Sequence, residues 1–139
     1  MRDLIDLIGR LAFGALFVHE AYDTIAHPKS TKALMTEYGL TFGQDLLLWG
    51  GATCLVLGSL MLVLGYRSKL AAFFLLVYWV PVTFIVHSFW NEQGAALRAE
   101  ALDFVEAFAI AGGLLLVLAH GTGRYAVRKL FATARTPGA

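Results

Sequence analysis

Nineteen consecutive residues, Leu46 to Leu64, carry no charge. A stretch of this length and composition fits the hydrocarbon core of a bilayer as a helix. It would bury poorly in a small soluble domain. Leu70 to Val86 repeats the pattern, again without a charge, and ends at His87. A third apolar run extends from about Ala101 to Ala119 and carries Asp103 and Glu106 in its first two turns. A fourth, from about Leu4 to Ile25, is interrupted by Asp6, Arg10, His19, Glu20 and Asp23. All four are expected to be helices, because backbone groups in lipid have no water to bond with. The runs are apolar all round and lack the alternation of a membrane β-barrel.

Composition supports this assignment. Of the 139 residues 58% are hydrophobic and 15% charged, against about half and a quarter in soluble domains. The expectation is an all-α, integral membrane four-helix bundle, a single domain over residues 1–139. The spans fall at about 4–25, 44–65, 69–88 and 100–120, with a flexible C-terminal tail at 129–139. The lipid bilayer is the first partner. A net charge of +1 points to no nucleic acid. Cys54 is the single cysteine, so cysteine-pair redox, haem-attachment and zinc motifs are excluded. Asp3, Asp6 and Arg10 interrupt the first span and no small-residue cleavage site follows, so an uncleaved helix is expected rather than a signal peptide.

Lysine and arginine set the orientation. Arg2, Arg10, Arg67, Lys69, Arg124, Arg128, Lys129 and Arg135 fall in the N-terminal region, the turn between spans two and three, and the tail. Only Lys29, Lys32 and Arg98 fall in the other two loops. Both termini are therefore expected inside, N-in/C-in. In the first outer loop Pro28 opens a short helix that Gly39 can end.

Small residues mark packing faces. Gly51, Gly58 and Gly65 recur every seven residues and share one face of span two. Gly112 and Gly113 can serve span four in the same way, and Pro81 is expected to kink span three.

The ionisable residues gather at the outer ends of the spans. His19 and Asp23 lie about 40° apart on span one, with Glu20 about 60° from Asp23. Trp79, Thr83, His87 and Trp90 share one side of span three and its exit. Asp103 and Glu106 lie about 60° apart on span four. Because the spans alternate in direction, these groups share one membrane level. They define a candidate outer polar pocket for proton-coupled chemistry or a polar headgroup such as a quinone. A histidine and carboxylates accept protons, and Trp79 or Trp90 can stack on a flat ring. The alternative is an ordinary interfacial belt in headgroup water. Two further readings are weaker. No E-x-x-H or H-E-x-x-H spacing is present, so no metal site is predicted. His19 and His87 lie too near helix ends to favour haem. Arg10 faces away from His19 and has Asp6 one turn off as a local partner. Gly121-Thr122-Gly123-Arg124-Tyr125-Ala126 fits a dinucleotide fingerprint in spelling, but a membrane helix rather than a strand precedes it.

Taken in order, several short pieces resemble the DoxX family of small bacterial four-helix membrane proteins. They are Gly9-Arg10, His19-Glu20, Tyr38-Gly39-Leu40, His87-Ser88-Phe89-Trp90, Gly112-Gly113-Leu114 and Gly121-x-Gly123-Arg124-Tyr125. The resemblance covers about Leu7 to Arg128. The family takes its name from a membrane subunit of a thiosulfate:quinone oxidoreductase, and other members look like partners of redox or oxidative-stress proteins. The resemblance therefore implies a small subunit or anchor of a quinone-linked oxidoreductase system, an accessory protein rather than a stand-alone enzyme. It implies a redox partner or a larger membrane complex, with an oligomer one form of it. A small-solute transporter and a structural assembly factor are the rival readings. The family offers no shared catalytic motif, so no catalytic residue is carried over. No cofactor is predicted within the chain itself, and quinone at the outer pocket is the one ligand expected.

Cysteine labelling in intact cells tests the topology. Positions Lys32 and Gly94 should react with an impermeant reagent from outside. Ser68 and Thr133 should react only after permeabilisation, and outside labelling at Ser68 refutes the orientation.

Overall fold

The computed structural model describes residues 2–88, 90 and 92–121. These form five helices and no strand. They are α1 (Arg2–Ala26), α2 (Pro28–Glu37), α3 (Gln44–Leu64), α4 (Ser68–Val86) and α5 (Gly94–His120). Helices α3, α4 and α5 are long and apolar enough to cross a membrane. Helix α1 has 25 residues but carries charges along its length. Helix α2 is the short helix between α1 and α3, at the end of the bundle called outer from the expected orientation. The expected tail and the Gly121-to-Ala126 stretch beyond Gly121 lie outside the described residues.

Local chemistry explains where the helices stop. Pro28 starts α2, where its missing N–H costs no hydrogen bond. At the other end Gly39 adopts φ 80°, and the N–H groups of Gly39 and Leu40 return to the carbonyls of Thr36 and Met35 at 3.0 and 2.7 Å. Those two bonds satisfy carbonyls that a helix end leaves bare. Gly65 ends α3 in the same left-handed conformation, φ 67°. A three-residue turn then leads into α4. In the outer loop, Lys32 reaches Asp45 at 2.5 Å. Gln44 donates to the Thr36 hydroxyl at 2.8 Å and the Leu40 carbonyl at 2.7 Å. These bonds tie α2 to the start of α3.

Close backbone approaches join α1 to α3, α3 to α4 and α4 to α5. One apolar core runs through all four long helices, from Phe17 and Ala21 of α1 through Leu55, Leu62 and Leu75 to Leu114 of α5. The outer surface of the bundle is apolar too. Phe73, Val77, Leu115 and Leu116 are each at least half exposed, the surface a bilayer covers. Arg10 is buried and holds Asp6 through Nε at 3.0 Å, the local pairing expected one helical turn away.

The glycines divide by task. A Cβ on Gly51 would stand 2.8 Å from the Tyr78 ring. One on Gly58 would stand 2.7 Å from Leu75 Cγ and 3.2 Å from the Ala71 carbonyl. Both lie on the seam between α3 and α4. Gly65, though on the same heptad spacing, closes the helix. A Cβ on Gly113 would stand 2.4 Å from Phe13 Cζ of α1, while Gly112 faces open space. Gly14 of α1 receives Val63 of α3, a contact the sequence reading did not single out. Pro81 sits inside α4 without ending it.

These contacts predict unequal costs. Gly58→Leu should destabilise the protein by at least about 1–3 kcal/mol, the usual penalty of overpacking, and reduce folded yield in detergent. Leu57→Ala, at a half-exposed position, should be milder, and Gly112→Ala neutral or slightly stabilising. Thermal unfolding in detergent measures all three. Equal stability of Gly58→Leu and wild type would mean that α3 and α4 do not meet there.

Candidate functional site in the outer half of the bundle

Helices α1 and α5 meet differently from the other neighbours. In the inner half the Phe13 ring of α1 lies against Gly113 of α5. Seven residues outward from each, the helical repeat returns to within about 20° of the same face and rises about 10 Å. Those positions are Glu20 on α1 and Glu106 on α5. By this repeat alone, Glu20 and Glu106 fall on the helical rows that carry Phe13 and Gly113, two turns further toward the α2 end. Glu20 is half-buried and Glu106 is exposed.

Trp79 of α4 backs this seam. Its indole meets Phe17 of α1 edge-on, with ring centroids 5.4 Å apart and planes at 89°. Its Nε1–H donates to the Ala107 carbonyl of α5 at 2.9 Å. One side chain thus bridges α1 and α5, with its polar edge satisfied. Thr83 is buried one turn further out and donates to the Trp79 carbonyl at 2.8 Å. Tyr78 sits beside Thr24 of α1, with Glu20 near.

The other expected residues go elsewhere. His19 and Asp23 are exposed on α1, and Asp23 pairs with His27 at 3.1 Å. Trp90 is about half exposed and packs edge-on against Phe104, at 6.2 Å between centroids. His87 and Asp103 do come together, and Glu100 joins them. One ligand atom from each of the three lies within 4.8 Å of the others. Among the described residues no hydrogen bond or ion pair joins Glu106 to another helix.

Glu100, Tyr38, Phe17 and Ala107 were not anticipated. Glu100 lay in the expected outer loop, yet α5 starts six residues earlier than the expected span, at Gly94. Tyr38, at the end of α2, lies close enough to feel Glu100 and Glu92 near the start of α5. Loss of water, then the charges of Glu100, Glu37 and Glu92, push its phenol above the ordinary value. A separate shallow groove of about 220 Å³ runs along α3 beside Ile25. Trp49, Ala52, Thr53, Val56 and Leu57 complete its lining, which offers little to a polar ligand.

The site thus combines a satisfied indole wall, two carboxylates on the rows of Phe13 and Gly113, and a histidine with two further carboxylates at the outer rim. Carboxylates and imidazole can exchange protons. Comparison with known families gives two matches. The DoxX model matches residues 5–88 and the SURF4 family model residues 49–130. No curated protein and no solved structure matches the chain. The DoxX match spans α1 to α4 and more than half of the sequence, so this membrane protein belongs to the DoxX family.

Proposed function

We propose that the protein is a small membrane subunit of a quinone-linked oxidoreductase system, with the outer α1–α5 seam as its quinone-facing surface. The observation that carries this reading is Trp79, held between Phe17 of α1 and Ala107 of α5, with Glu20 and Glu106 on the helical rows of Phe13 and Gly113. A seam open to lipid admits a lipid-soluble ligand from the side. An aromatic wall suits a flat ring. Reduction of a quinone consumes two electrons and two protons. The carboxylates can relay protons, and the partner supplies the electrons. Membership in the DoxX family supports a partner of that kind.

The same reading places four spans in the bacterial inner membrane. Helix α1 is about 37 Å long at 1.5 Å per residue, more than the ~30 Å hydrocarbon core. It shares its buried face, Phe17 and Ala21, with α3, α4 and α5. Four crossings put both termini on one side, and the lysine and arginine bias makes that side cytoplasmic. The seam then opens toward the outer leaflet.

A redox-active protein should co-purify with the tagged chain from native membranes. In the assembled system Glu106→Gln should lower quinone-linked turnover by about tenfold or more, within the usual range for losing an acid–base group. Glu20→Gln should do likewise, and the double variant should be less than additive. Co-purification with full turnover in both variants leaves an anchoring subunit without the seam chemistry. Absence of any redox partner removes the reading in favour of a structural assembly factor.

A further inference from the structure

Outside the seam, one cluster has a composition that the quinone reading does not use. His87 follows the last turn of α4. Glu100 and Asp103 lie three residues apart on α5, on neighbouring rows of one face. The cluster therefore draws on two helices and is not a run of acids on one surface. We propose that His87, Glu100 and Asp103 bind one divalent transition-metal ion, of the zinc or manganese kind, at the outer junction of α4 and α5.

The distances fit such an ion. Zinc bonds to imidazole nitrogen and carboxylate oxygen are about 2.0–2.2 Å long, so neighbouring ligand atoms stand roughly 3–3.5 Å apart around the metal. His87 Nδ1 and Glu100 Oε2 are 3.6 Å apart, and all three ligand atoms fall within 4.8 Å. Asp103 is exposed and free to swing the remaining distance. The 3.6 Å separation is too long for a hydrogen bond.

A second observation points the same way. Glu100 Oε2 is shielded from solvent and has no hydrogen-bond partner. A buried carboxylate oxygen without a donor is costly to keep. A cation between Glu100 and His87 would satisfy it. One imidazole with two carboxylates is a mixed nitrogen–oxygen set, which suits zinc or manganese better than calcium or copper(I). Three protein ligands leave at least one position for water. The proposal concerns the isolated chain and needs no redox partner, so it stands or falls separately from the proposed function.

The test is titration of the purified full chain in detergent micelles, by calorimetry, with Zn²⁺ alone and then with Mn²⁺ alone. One saturable ion per chain is expected for at least one of the two metals. His87→Ala, Glu100→Gln and Asp103→Asn should each weaken it by at least about tenfold, since loss of supporting outer-shell partners already costs about 10–100-fold. His120→Ala, which removes an exposed histidine at the other end of α5, should bind as wild type does. Circular dichroism checks the fold of each variant. If Glu100→Gln does not fold, the exposed Asp103→Asn variant and His87→Ala decide the matter. The proposal is overturned by lack of saturable binding of both ions, by binding that survives His87→Ala and Asp103→Asn, or by binding lost in His120→Ala.

Discussion

Lipid removes the hydrophobic drive that holds soluble helices together, so membrane helices associate through close steric fit. Here that fit is concentrated between α3 and α4. Gly51 receives the Tyr78 ring, and Gly58 receives Leu75 near the Ala71 carbonyl. These two contacts fix how α4 is rotated about its own axis. Tyr78 turns toward α3, so Trp79, one residue on and about 100° round, turns toward α1 and α5. Thr83 follows Trp79 one turn later on the same side. The wall of the candidate site is therefore set by glycines on a helix that contributes nothing else to it.

The seam between α1 and α5 is closed in its inner half and polar in its outer half. Phe13 fills the space over Gly113, and Phe17 is wholly buried. Seven residues along each helix the same rows carry Glu20 and Glu106, which cannot interlock as apolar side chains do. The Trp79 N–H bond to Ala107 ties α4 to α5 at that level. Ala107 and Ala111 are both buried, and their small side chains let α5 lie close to α4. In the inner half the buried Arg10 meets Asp6 within its own helix.

Three of the long helices were legible as uncharged or nearly uncharged runs, and α2 from its proline and glycine. The packing role of Gly51 and Gly58 followed from heptad spacing alone. Gly65 shares that spacing but ends the helix, because a backbone turn and a packing face use the same residue for different reasons. Gly112 and Gly113 could not be told apart, since the choice depends on where α1 lies. The site was legible only within each helix. Angles along one helix follow from 100° per residue, but the angles between helices do not. So His87 met Asp103 and Glu100, while Glu106 stayed exposed and apart from that cluster. Glu100 escaped notice because Arg98 and Glu100 break the apolar run. The missed signal was helix propensity, for Ala95, Ala96, Ala99 and Ala101 extend α5 outward past both charges.

The placement of charge also bears on what the bundle can transmit. A solute path requires polar groups through the depth of the membrane. Leu55, Leu62, Leu75 and Leu114 are fully buried in one apolar core, and no polar ladder crosses that level among the described residues. Glu106 itself is exposed on a helix that is apolar enough to span the bilayer. A carboxylate there must meet water, accept a proton or be covered by another polar surface. On the helical row of Gly113, Glu106 needs a cover that the apolar core of the bundle does not provide.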